Sequence, residues 1–126
     1  MKQSITAKKA PAAIGPYSQA IKAGNFVFLS GQLGIDPQTG ELVSGGMSGQ
    51  TEQVFQNIQA VLAEINLTWD SVVKTTVFLS DMQDFAALNE AYARYFNEPY
   101  PARSAFAVKT LPKNALVEIE VIAEVN

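Results

Sequence analysis

Two features of this sequence have the plainest capacity for chemistry: an arginine behind a proline turn, and two glutamates two residues apart on an alternating stretch. Arg103 follows Pro101-Ala102 at the entrance of an apolar run. Its planar guanidinium can hold a carboxylate in two parallel hydrogen bonds, although an exposed arginine or a structural ion pair fits the same position. Glu118 and Glu120 offer a carboxylate that could orient water, or take its proton, for attack on an electrophilic carbon. Taken by spacing alone, solvated strand alternation is the simpler description of that pair. Tyr17, after Pro16, and Ser30, closing an apolar run, can donate hydrogen bonds to a ligand or simply belong to a turn and a strand end. Lys74 sits in an otherwise apolar stretch, where a desolvated lysine could form a Schiff base or merely mark a strand edge. Gly31, Gly34, Gly45, Gly46 and Gly49 form no phosphate loop, because no Gly-Lys-Ser/Thr follows them and no Gly-x-Gly-x-x-Gly opens a helix. No nucleotide site is expected.

What is missing narrows the chemistry further. The 126 residues include no histidine and no cysteine. The chain therefore cannot supply a Ser-His-Asp triad, a thiolate nucleophile, a Cys/His zinc site or a two-His-one-carboxylate iron site. Acid-base work falls to Asp, Glu, Lys, Tyr or water, and no metal or cofactor is expected. The formal net charge is −3, and lysines and arginines are scattered singly apart from Lys8-Lys9, so no basic stripe exists to neutralise a row of phosphates. Nucleic acid is not expected as the main partner. The stretch Met1–Thr6 has no apolar signal-peptide core and no uninterrupted run is long enough for a bilayer, which makes the cytoplasm the expected location.

The elements that must position these residues follow from periodicity. A chain of 126 residues, 48% apolar, suits one domain with one core, spanning residues 1–126. Residues 4–6 and 18–23 read as short strands flanking a segment broken by Pro11, Gly15 and Pro16. After the Gly24-Asn25 turn, residues 26–30 form a strand apolar on both faces and hence central in a sheet. Val54, Ile58, Val61, Leu62 and Ile65 make one stripe of a helix over residues 48–66. Residues 72–79 are rich in β-branched side chains and read as a long strand. Asp81 or Asp84 can then cap a helix carrying Phe85, Leu88, Tyr92 and Tyr95 or Phe96, which Pro99 and Pro101 end.

Residues 103–108 form another strand, and residues 117–125 alternate so that Val117, Ile119, Val121 and Val125 face a core opposite Glu118, Glu120 and Glu124. This order predicts an α+β fold, a mixed sheet with both helices on a single face. Phe28 or Phe78 would then remain on the uncovered face, which a homo-oligomer could bury.

The whole chain resembles the Rid family of reactive-intermediate deaminases, also called RidA/YjgF-like. The resemblance rests on residues 10–19 (APAAIGPYSQ), Ser30-Gly31-Gln32, Lys74-Thr75-Thr76-Val77-Phe78 and residues 85–89 (FAALN). It continues through Pro101-Ala102-Arg103-Ser104 and Leu111-Pro112-Lys113 to Val117-Glu118-Ile119-Glu120. It implies a chorismate-mutase-like α+β sheet, a homotrimer, and ligand clefts between neighbouring subunits. Carried over by residue, Arg103 would grip the substrate carboxylate and Glu118 would position the attacking water. Tyr17, Ser30 and Gly31 would line the cleft.

The implied activity is hydrolysis of 2-imino and 2-enamino acids, such as 2-iminobutanoate and 2-iminopropanoate, to 2-oxo acids and ammonia. Where many family members have Arg-Ser-Cys, this chain has Arg103-Ser104-Ala105, so position 105 is expected to contribute through its backbone amide. Two other readings are a ligand-binding regulatory or chaperone-like protein and a ribonuclease, and the acidic balance and missing histidines count against the second.

Overall fold

Every second side chain of residues 117–124 is apolar, and in the computed structural model, which describes residues 1–125, that stretch lies inside a sheet. The elements are β1 (Gln3–Ile5), β2 (Ala20–Ala23), β3 (Phe26–Leu33), α1 (Gly46–Glu64), β4 (Val72–Leu79), α2 (Phe85–Tyr92), β5 (Ala102–Ala107) and β6 (Val117–Glu124). The six strands form one sheet in the order β1-β2-β3-β6-β4-β5. Only β4 and β5 run parallel, joined through α2, and the other neighbours are antiparallel. This is the mixed α+β sheet that the periodicity predicts.

The alternation decides which face is dry. Val117, Ile119, Val121 and Ala123 of β6 are buried with Val27 and Leu29 of β3 and Val77 and Leu79 of β4. The stripe of α1 closes over them: Val54, Ile58, Val61 and Leu62 are fully buried, as is Phe55 beside them. Burying each such side chain stabilises the fold by roughly 1.5–3 kcal/mol. Two polar features fix how closely α1 approaches. A Cβ at Gly34 would lie 2.7 Å from the Gln50 backbone, and the buried Asn57 amide donates to the carbonyls of Leu33 (3.0 Å) and Ile35 (2.9 Å).

Boundaries shift where side chains compete with periodicity. The strand expected from residue 18 begins at Ala20, because the Gln19 side chain serves the preceding loop. The Gln19 amide donates to the carbonyls of Ala7 (3.1 Å) and Pro11 (2.7 Å), and its oxygen accepts from the Ala7 amide (2.6 Å). α1 starts at Gly46, not Ser48, and α2 ends at Tyr92, so Tyr95 and Phe96 leave the helix. They still reach the core, where Tyr95 stacks on Phe55 at 4.4 Å between centroids. Asp81 caps the short 3-10 turn Met82–Asp84 that leads into α2, its carboxylate accepting from the Gln83 amide.

The face away from the helices is apolar and open, as the aromatic residues of the central strands predict. Phe26, Phe28, Val73 and Phe106 are each 39–45% exposed, and Phe78 meets Phe106 edge-to-face at 5.4 Å. No helix among the described residues is long and apolar enough to cross a membrane.

Candidate functional site

β5 is an edge strand, and Arg103 is its second residue. Its register partner on β4 is Thr75, which is fully buried, so the Arg103 row points toward the helices. There the guanidinium lies over the Tyr92 ring, 4.8 Å from its centroid, and 5.3 Å from that of Phe85. Arg103 Nη1 donates to Asn89 Oδ1 at 2.7 Å. Arg103 has no carboxylate partner among the described residues, so the ion-pair reading of this position is not realised. Asn89, Tyr92, Tyr100, Pro101 and Arg103 border an open cavity of about 450 Å³.

The edge carries a second feature at position 105. The Val108 amide donates to the Leu79 carbonyl at 2.9 Å. Strand alternation then turns the amides of Phe106 and Ser104 toward β4 and those of Ala105 and Arg103 toward the free edge. The Ala105 side chain is directed to the core, opposite Val77.

Glu118 occupies a different environment. It sits in β6 between Leu33 and Phe78, on the face turned away from the helices. Its carboxylate lies directly over Gly31: a Cβ there would overlap it, with Glu118 Cδ only 2.8 Å from the position such a Cβ would take. Half-burial pushes the Glu118 carboxyl above the ordinary glutamate range, and the charge of Glu120 on the same strand face adds to the shift. The carboxylate makes no hydrogen bond among the described residues. A carboxyl with raised proton affinity and free oxygens is suited to exchanging protons with water.

The residues around Gly31 complete a concave surface. Tyr17, Gly31, Gln32, Leu33 and Lys113 border a cavity of about 500 Å³ with Pro11, Ile14 and Pro112. The Tyr17 oxygen accepts a long bond from the Ile14 amide (3.4 Å), which leaves its O–H free to donate. The Ser30 hydroxyl donates to the Ser18 carbonyl at 2.6 Å, so toward a ligand its oxygen is available as an acceptor. Lys74 donates to Ser104 Oγ (3.0 Å) on the outer face, away from both cavities.

Arg103 and Glu118 therefore do not meet within one chain. Thr75 pairs with Arg103 on one side and Val121 on the other, which sets Arg103 two strands and three residues from Glu118, about 14 Å across the sheet. They also point to opposite faces. Sequence periodicity gave no role to Asn89, Tyr92 or Gln19 at the site. The only signal for Asn89 was the Phe85–Asn89 stretch of the resemblance, and for Gln19 the end of the 10–19 stretch.

The match to other proteins covers nearly the entire chain. The family model described as Endoribonuclease L-PSP matches residues 7–125. A RutC family protein of Pyrococcus horikoshii is 55% identical over 123 residues, 98% of each chain. The Reactive Intermediate Deaminase A of Arabidopsis thaliana chloroplasts is 54% identical over 97% of this chain and 65% of its own, and the human 2-iminobutanoate/2-iminopropanoate deaminase is 44% identical over 98% and 90%. Among solved structures, E. coli TdcF with bound serine superposes with a TM-score of 0.92 at 39% identity, over 98% of this chain and 99% of its own. An α+β sheet of this topology with these relatives defines the class, and the chain belongs to the Rid (RidA/YjgF) family. Its relatives include proteins named as deaminases.

Proposed function

We propose that this protein hydrolyses 2-imino acids and their 2-enamino tautomers, of the 2-iminobutanoate and 2-iminopropanoate type, to 2-oxo acids and ammonia. The observation that carries the reading is the Glu118 carboxyl, half-buried, raised in proton affinity and lying unbonded over Gly31. The deaminase names of relatives and the serine bound to TdcF support a small carboxylate-bearing ligand.

The reaction needs little beyond orientation. A protonated imine is already electrophilic, and a carboxylate clamp and a placed water convert a bimolecular encounter into a positioned one. Arg103 holds the substrate carboxylate. Glu118 takes a proton as water bonds to C2, giving a neutral carbinolamine. It then returns that proton to the nitrogen, the C2–N bond breaks, and the hydroxyl oxygen becomes the carbonyl. The hydroxyl proton leaves with the nitrogen, so one iminium and one water give one 2-oxo acid and one ammonium. Tyr17 and Ser30 bond the ligand from the Gly31 side, and the Ala105 amide faces it from the strand edge.

Because Arg103 and Glu118 lie on opposite faces of the sheet, one substrate can meet both only where two copies adjoin. The open apolar face and the free edge of β5 supply surfaces for that contact, and a closed homotrimer gives each copy both neighbours. The test is an assay in which an oxidase or dehydratase generates 2-iminobutanoate, with 2-oxobutanoate appearance followed above the spontaneous rate. Acceleration in proportion to protein supports the reading. Binding of 2-oxobutanoate without acceleration would make this a ligand-binding protein, and salt-sensitive RNA cleavage without it would favour the activity in the family description.

A further inference from the structure

Arg103 is exposed, yet its guanidinium is held from two sides. Nη1 is committed to Asn89 Oδ1, and the guanidinium carbon lies 4.8 Å from the centroid of Tyr92. Tyr92 is itself fixed. Its hydroxyl shares a 2.9 Å hydrogen bond with Thr75 Oγ1, and both residues are buried. Thr75 is also the backbone partner of Arg103 across the β4–β5 ladder. The contacts therefore close a ring: the strand register places Thr75, Thr75 holds the Tyr92 hydroxyl, and the Tyr92 face carries the guanidinium back above its own strand.

We propose that Asn89 and Tyr92 are positioning residues that fix the plane and rotation of the Arg103 guanidinium, so that its uncommitted donors present a preset fork to a planar carboxylate. The inference rests on the reading of Arg103 as the substrate-carboxylate clamp. An arginine side chain free in solvent loses rotamer freedom when it grips a ligand, and bracing it beforehand removes that loss from the binding step. Asn89 fixes rotation in the plane by occupying one Nη, and the aromatic face fixes the plane itself, a constraint that acts on a planar guanidinium and has no counterpart in an ammonium, which has no plane to orient. Both residues come from one turn of α2, three apart, so a single helix face delivers both constraints. Phe85, at 5.3 Å, borders the same guanidinium from the start of that helix.

The experiment compares variants of the full-length protein by kcat and KM for 2-iminobutanoate and by calorimetric binding of 2-oxobutanoate beside its amide, which lacks the carboxylate. Asn89→Ala should raise KM and the Kd for 2-oxobutanoate about tenfold while leaving kcat within threefold and the thermal midpoint unchanged, since alanine suits a helix interior. Tyr92→Leu should weaken the same binding comparably, and Tyr92→Phe, which keeps the ring face, should recover most of it. If Tyr92→Leu fails to fold, Asn89→Ala and Tyr92→Phe carry the test. Binding of the amide should change by less than twofold in every variant. In an Arg103→Ala background, Asn89→Ala should have no further effect. If Arg103→Ala is inactive while Asn89→Ala and Tyr92→Leu bind 2-oxobutanoate like the parent, the positioning proposal is overturned and the clamp stands. If Arg103→Ala itself matches the parent, the clamp reading fails and the proposal with it.

Discussion

The Arg103 and Glu118 regions handle a charge in opposite ways. Arg103 stands on an edge strand with one neighbour, exposed to water, and its side chain is braced by Asn89 and Tyr92. Glu118 stands on a strand with two neighbours, half-buried, and its carboxyl is perturbed by desolvation and by Glu120. A group that only recognises a carboxylate needs fixed direction and a permanent charge, which guanidinium has at any working pH. A group that moves protons needs an adjusted proton affinity, and burial provides it. In the proposed roles, the sheet separates the two requirements by putting one residue on each face.

Removing either charge should break the comparison most severely. Arg103→Ala takes away the only partner proposed for the substrate carboxylate, and loss of one member of a desolvated charge pair typically costs about 2–5 kcal/mol. kcat/KM for 2-iminobutanoate should fall accordingly, with Arg103→Lys recovering only part, because lysine lacks the planar fork. Glu118→Gln keeps size and hydrogen bonding but not the base, and kcat should drop by roughly 10²–10⁴ while 2-oxobutanoate still binds. Equal losses of binding in both variants would contradict the division of labour.

Gly31→Ala is a finer probe. The new Cβ would meet the end of a flexible glutamate side chain and not backbone, so Glu118 should swing aside with little change in thermal stability. Displacing a catalytic group by about an ångström costs on the order of 10²-fold in rate. Unchanged kcat in a folded Gly31→Ala protein would mean that the position of this carboxylate is immaterial.

The smallest effect concerns pH. In its proposed role Glu118 acts as a base when ionised, so kcat/KM should fall on the acid side as pH drops through its raised pKa. The negative charge of Glu120 contributes to that elevation. Glu120→Gln should therefore move the acid limb to lower pH with a plateau rate close to the parent's, and a shift to higher pH would contradict the assigned cause.

Much of the fold was legible because strand and helix periods are written in apolar spacing. Residues 117–124 alternate without interruption in their first half, and the stripe from Val54 to Leu62 is buried as spaced. Boundaries were less legible where a side chain serves a loop, as Gln19 does. The site itself was hidden for a geometric reason. Alternation shows that Glu118 and Glu120 share a face, but a one-dimensional pattern carries no register between β4, β5 and β6, and that register alone sets Arg103 opposite Thr75 and away from Glu118. The bracing of Arg103 by Asn89 and Tyr92 depends on where α2 lies over that register, which no local spacing encodes.

The central claim is that one active site takes Arg103 from one copy and Glu118 from another. Complementation tests it: inactive Arg103→Ala and Glu118→Gln proteins are unfolded together, refolded as an equal mixture, and assayed for 2-iminobutanoate hydrolysis. In a closed ring with one site at each junction, random assembly leaves about one quarter of the sites with both native residues, so the mixture should regain about a quarter of the parent activity. A mixture as inactive as its two components, despite mixed oligomers being present, would contradict a site shared between chains.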